Sequence, residues 1–419
     1  MKFFFFLLFG ALGLYAEPDN YSWSVPTTVY SSSGVNAISP KLALHASNQS
    51  AILSWVDYSS GIYTTRAGSF NGVSWSVGPS FTSSTAVPTT QVGIDSSGKG
   101  LAIWDNINGV LLSIRSSRFD GASWSEPVLV TATDSAYSCF PQLAVNSLGN
   151  AVCIWQDQLA RILLARDFNA TSNSWGNQYG LKVSSVNLSA VPSLVGLNTS
   201  NVANVIMFAQ QGVYGASYQA LTSKPSATFS SLENFATNVA PQISVNPNDG
   251  AILWVAQSSS GGNLKSGRKL EGGTWSLAQI VNMTSFVVSS LSIALDRVTD
   301  GAVAAWQTTG GSIQVSLYNG DSWTAPQVLS TNGASPTVAV NGQNNHAVVA
   351  WVDLTAGGTS NTIKVSEYGS SWSSPSSISA TSSTLQSPSI AINDNGFALL
   401  VWSRLVGSNQ VLEMATSNE

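Results

Sequence analysis

The stretch "NYSWSVPTTVYSS", residues 20–32, reads as the end of a repeating unit set at the start of the chain. Three close relatives, "GASWSEPVLVTA" (121–132), "GDSWTAPQVLST" (320–331) and "SSWSSPSSISAT" (370–381), each close a longer segment. The tryptophans extend the pattern. All 14 fall into two columns: Trp55, Trp104, Trp155, Trp254, Trp306, Trp351 and Trp402, then Trp23, Trp75, Trp124, Trp175, Trp275, Trp323 and Trp372. With Phe208 filling the one gap in the first column, steps run from 45 to 53 residues; Phe229 fills the gap in the second. A period near fifty is the mark of a repeat architecture.

Each unit opens on a short alternating run, as in "SPKLALH", "FPQLAVN", "APQISVN" and "SPSIAIN". A turn rich in Asn, Asp and Gly follows, then an apolar run ending in Trp, such as "AVCIWQD" or "AVVAWVD". A third run, such as "SIQVSLY", ends in Asn-Gly (71–72, 319–320) or Asp-Gly (120–121), and "SW" starts the fourth. Period-two alternation rich in β-branched residues predicts strands. Asn-Gly and Asp-Gly between such runs predict hairpins, because a type I′ turn needs positive φ at both central positions. Four antiparallel strands per fifty residues are the blades of a β-propeller. Blades bury both faces, which accounts for the apolar second strands and for Trp as the filler between sheets.

First-column residues count eight blades. The last ends after its third strand, so residues 21–31 are expected to supply its fourth and close the ring. The expected organisation is a signal peptide over 1–16 and one all-β, eight-bladed propeller domain over 17–419. Its blades are expected at about 38–83, 87–133, 140–186, 191–237, 240–286, 290–331, 335–381 and 387–419.

Lys2 and the apolar run to residue 15 make that signal peptide, with Ala16 as the cleavage point. An exported protein follows: secreted, periplasmic or at the cell surface, with no stable membrane insertion of the mature chain, and monomeric. Only 9% of residues are charged and the net charge is −5, with no basic stripe. Nucleic acid is therefore excluded as a partner. The two cysteines, Cys139 and Cys153, are expected too far apart in their hairpin for a disulfide. No cofactor or metal is expected. The two histidines, His45 and His346, read as surface turn residues, and the Asn/Asp turns as plain turns.

The hairpin with its Trp resembles the Asp-box repeats of sialidase-type propellers: "SFNGVSW" (69–75), "SRFDGASW" (117–124), "KLEGGTW" (269–275) and "SLYNGDSW" (316–323). The spacing is one residue shorter than the Asp-box pattern, and Asn or Glu replaces its Asp in most units. The resemblance implies a propeller whose repeat motif stabilises structure on the face away from the sugar site. A sialidase would also carry three carboxylate-clamping arginines, a Tyr nucleophile with a Glu partner, and an acid Asp. The Arg-Ile-Pro signature is absent, and Arg66, Arg115, Arg166 and Arg268 read as solvated charges at blade edges.

One constellation suggests a site. A polar residue follows each first-column position: Asp57, Asp105, Asp157, Gln210, Gln257, Gln307, Asp353 and Arg404. These residues end the second strands, on the face that also carries the long fourth-to-first connections. They predict a weakly acidic ring that binds a polar or cationic group, with the four Asp changeable to Ala without loss of fold. The leading function is a non-enzymatic propeller binding a protein or carbohydrate through this loop face. The alternatives are a diverged sialidase-like glycoside hydrolase or lyase, and a structural surface module without a ligand.

Overall fold

Eight four-stranded antiparallel sheets form a ring, an eight-bladed β-propeller. The computed structural model describes residues 22–108, 111–132, 138–157, 162–181, 188, 192–209, 212–222, 227, 229–233, 241–246, 251–257, 264–270, 273–281, 287–296, 301–341, 346–355 and 358–418. Every regular element among them is a strand. The inner strands of blades 1 to 8 are Asn36–Leu44, Thr90–Ile94, Ser138–Val145, Leu194–Leu197, Gln242–Val245, Val288–Leu295, Gly333–Asn341 and Leu385–Ile392. Each is followed outward by its second, third and fourth strands, as in blade 1 with Ser50–Ser59, Ile62–Asn71 and Trp75–Ser84.

Closure follows the sequence expectation. In blade 8 the third strand, Asn409–Asn418, pairs outward with two pieces of the N-terminal segment, Ser22–Trp23 and Thr27–Tyr30. Trp23 stands opposite Ser417, and Thr27 opposite Met414. Val29 enters the core shared by blades 8 and 1, beside Trp55, Leu399 and Leu412.

The two Trp columns do different work. The seven first-column indoles are all 0% exposed and form the centre of the packing between blades. Trp55 packs on Leu399 and Val401 of blade 8, and Trp402 on Val348 and Val365 of blade 7, so each faces the preceding blade. Second-column indoles are half-buried and reach back across the same junction. The Nε1–H of Trp175 donates to Ser116 Oγ of blade 2 at 2.8 Å, and that of Trp323 to Ser266 Oγ of blade 5 at 2.9 Å. Trp23 follows the rule, donating to Glu367 Oε1 of blade 7 at 2.9 Å.

Blade 4 departs from the expected column. Asn198 N donates the turn-closing hydrogen bond to Val202 O, and Leu194 pairs with Ile206. That register puts Met207, not Phe208, in the place that Trp fills elsewhere. Phe208 is one residue further on, so alternation turns it to the other side, where it packs on Ile252 and Trp254 of blade 5. Phe229 keeps its expected role and packs on the core between blades 3 and 4.

The cysteines stay apart. Cys139 pairs with Gln156 and Leu143 with Cys153, and Cys153 is a free, buried thiol whose pKa is pushed up by burial.

Candidate functional site

The ends of the second strands lie on the face that also carries the second-to-third and fourth-to-first connections. A backbone bridge recurs there, joining the two kinds of connection. Thr85 N donates to Ile107 O at 3.0 Å, Thr309 N to Val287 O at 2.8 Å, Leu354 N to Asn332 O at 2.8 Å and Leu405 N to Thr384 O at 3.0 Å. The rim is thus built by one device in blades 2, 6, 7 and 8.

The residues expected to ring this rim divide into two sets. Asp57, Asp157, Asp353 and Arg404 stand two residues beyond their Trp, and Asp105 and Gln307 only one beyond. Gln257, in the blade whose Trp254 sits earlier in its strand, falls in the second set by register. Side chains alternate across a strand, so the first set turns toward the preceding blade and the second away from it. Gln257 Oε1 accepts Val288 N of blade 6 at 3.0 Å, and Gln307 Oε1 accepts Ser335 N of blade 7 at 3.2 Å. Asp105, 5% exposed, accepts the N–H of Thr89 at 2.5 Å. Burial raises the Asp105 pKa to about 6, against the pull of that hydrogen bond. Gln210 lies outside the described residues.

The first set forms cross-strand ion pairs at three consecutive junctions. Asp57 accepts Trp55 Nε1–H at 2.9 Å and the Tyr30 hydroxyl at 2.8 Å, and pairs with Arg66. Asp353 pairs with Lys364 at 2.9 Å and accepts Ser330 Oγ–H at 3.2 Å. Blade 8 uses the same geometry with the charges exchanged: Arg404 stands at the Asp position and pairs with Glu413, opposite Trp402, at 2.5 Å. Glu413 also accepts Trp402 Nε1–H at 3.1 Å. In blade 3 the Trp155 Nε1–H finds no partner among the described residues, although Asp157 stands at the equivalent place. These side chains therefore fasten blades and rim. Removing Asp57 would take the acceptor from three donors, so an Asp-to-Ala change at this position is expected to cost stability.

The arginines are not solvated edge charges. Arg66 holds Asp57. Arg166 Nη1 donates to the carbonyls of Leu129 and Val130 in blade 2, at 3.2 and 2.8 Å. Arg268, 8% exposed, donates to Gly320 O at 2.9 Å and lies over the Tyr318 ring of blade 6. Arg115 stands opposite Trp104 on the third strand of blade 2.

The histidines are buried rather than at the surface, 4% exposed for His45 and 2% for His346. His45 Nδ1 accepts Ser47 N at 3.1 Å and Asn48 N at 3.2 Å, which leaves Nε2 to carry the proton and donate to Ser96 O of blade 2 at 3.0 Å. The turns of the opposite face repeat this arrangement with amides. Asn146 Oδ1 accepts Leu148 N and Asn150 N, and its Nδ2 donates to Asn198 O of blade 4 at 2.8 Å. Asn393 does the same, its Nδ2 reaching Asn48 O of blade 1 at 2.8 Å. Each such turn organises itself with its oxygen and holds the next blade with its nitrogen.

No protein-family model matches the sequence, and no curated protein matches it. Solved propellers are similar in fold. The Dos1 propeller matches with a TM-score of 0.59 at 8% identity, over 95% of this chain and 95% of that one. A fucose-specific lectin from Aleuria aurantia gives 0.46 at 12%, over 83% of this chain and 97% of the lectin. A NanB sialidase from Streptococcus pneumoniae gives 0.41 at 12%, over 88% of this chain and 83% of the enzyme. The Dos1 match supports the propeller architecture; at such identity, likeness concerns fold alone.

Proposed function

We propose that the protein is an exported, monomeric, non-enzymatic recognition module that binds a protein or carbohydrate partner through its loop face. The observation behind this reading is the rim itself. One repeated backbone bridge supports connections of unlike sequence in different blades. A rigid scaffold under variable loops is the usual arrangement for recognition. The ionisable groups at the second-strand ends and the acid paired with Arg404 suit this role better than catalysis. Asp57, Asp353 and Glu413 each hold a cation and a neighbouring donor. Glycoside hydrolysis instead calls for a carboxylate pair open to substrate, with one member protonated as the acid.

The test is a glycan array run beside a panel of chromogenic glycosides, with the purified protein at one concentration. Saturable binding without turnover is expected. It should be lost when the fourth-to-first connections are replaced, one at a time, by Gly-Ser linkers, with the melting temperature unchanged. Turnover of any glycoside would replace this reading with a hydrolase.

A further inference from the structure

The eight inner strands, whose edges line the axis of the ring, carry one charged residue between them: Lys41. Its place in the register belongs to a tier. Lys41 stands opposite Ser54, Gln91 opposite Ile103, Gln142 opposite Ile154 and Gln242 opposite Val255. Each lies four residues before the side chain that opens its turn, so all sit at one height. Blades 6, 7 and 8 place hydroxyls there, Ser292, Thr337 and Ser389, and only blade 4 has an apolar residue, Leu194.

Three features set Lys41 apart. It is the one exposed residue of its strand, whereas the three glutamines are half-buried. Desolvation lowers its pKa. An exposed side chain on an innermost strand is placed to reach the axis of the ring. The backbone just before the tier is also bulged. Register shifts fall between Ile38 and Lys41, Cys139 and Gln142, Ala334 and Thr337, and Gln386 and Ser389. In three of these bulges a non-glycine residue is left-handed: Ser39 (φ 55°), Phe140 (φ 57°) and Ser335 (φ 52°). Bulges re-aim the side chains that follow them, and such strain persists where the surroundings impose it.

We propose that the central channel binds a small oxyanion, a carboxylate or a phosphate, anchored on the Lys41 ammonium and hydrogen-bonded by glutamine amides of the same tier. A single cation in an otherwise neutral wall attracts one anionic group, and low-dielectric walls focus its field along the axis. Glutamine Nε2–H groups donate to such an anion. Gln142 gives one of its two to Pro141 O at 3.0 Å and keeps the other. The site lies on the inner strands, not on the loop rim, and does not rest on the loop-face reading.

Isothermal titration of the purified protein at low salt tests this, with inorganic phosphate and glucuronate as the two probes. One probe or both should saturate a single site per chain; the one that binds tells whether the natural ligand offers phosphate or carboxylate. Lys41→Gln should weaken binding at least tenfold. That variant keeps the fold, since Gln fills the same tier in blades 2, 3 and 5. The double variant Lys41→Gln/Gln142→Lys moves the ammonium two blades round the same tier and should recover binding, while Lys99→Gln, in a turn, should bind as the unaltered protein does. The proposal is overturned if neither probe saturates, if Lys41→Gln binds as tightly as the parent, or if moving the cation fails to restore binding.

Discussion

Asp105 and Asp57 are equally buried, 5% exposed each, but they stabilise the fold on opposite terms. Asp105 accepts the N–H of Thr89, and burial raises its pKa to about 6, above the unfolded value near 3.9. Between about pH 4 and 6 the folded state therefore binds more protons than the unfolded one. Stability falls as pH rises through that window, and the cost is complete above the folded pKa. Asp105→Asn keeps the acceptor and removes the charge. It should be close to neutral at pH 4 and stabilise by about 2–3 kcal/mol at pH 7; urea melts at the two pH values giving the same difference would rule this out. Asp57 is compensated by Trp55, Tyr30 and Arg66. Asp57→Ala should cost about 3 kcal/mol or more, because a partly buried cation loses its partner. An unchanged denaturation midpoint would show that the network does not contribute. Sequence placed both acids at the second-strand ends. The one-residue difference in their distance from Trp held the rest: it sends the side chains to opposite faces. Two partners of Asp57, Arg66 and Tyr30, come from the next strand and from the N-terminal segment, which no local pattern joins to it.

At the scale of the strand, register decides what the columns mean. The Trp columns, the Asn-Gly and Asp-Gly hairpins and the alternation were enough to give blades and their number. They were not enough in blade 4, where Met207 and Phe208 are both apolar and only the turn-closing hydrogen bond shows which faces the preceding blade. The histidines were misplaced for a related reason. A turn residue is ordinarily exposed, but here the turns of adjacent blades bond to one another and cover the ring of His45. The inner strands approach so closely that their small residues are structural. A Cβ on Gly196 would stand 2.0 Å from Val245 Cγ2 of blade 5, whereas one on Gly180 would meet nothing within 4 Å. Gly196→Ala should therefore destabilise by about 1–3 kcal/mol through overpacking, and Gly180→Ala by no more than about 0.5 kcal/mol. Equal effects in urea denaturation would mean that the blades separate easily at the axis.

The ring as a whole depends on segment 22–30. It supplies Trp23 to Glu367 of blade 7, Ser24 N to Thr416 O, Val29 to the core of blades 8 and 1, and Tyr30 to Asp57. One short segment therefore ties three consecutive blades, and its loss bares an edge strand of ten residues, Asn409–Asn418. An open edge invites pairing with other chains. Deleting residues 1–31 should cost at least about 3 kcal/mol, well beyond the few tenths usual for an exposed terminus, and should promote concentration-dependent association. Because the segment binds by strand pairing and two aromatic anchors, a synthetic peptide of residues 20–32 added to the deleted protein should restore the melting temperature and abolish the association. The same peptide with Trp23 and Tyr30 both changed to Ala should do neither. If the deleted protein melted as the full chain does, the ring would be held by the packing of the blades on one another without this segment. If both peptides restored it equally, edge pairing rather than the anchors would be what closes the circle.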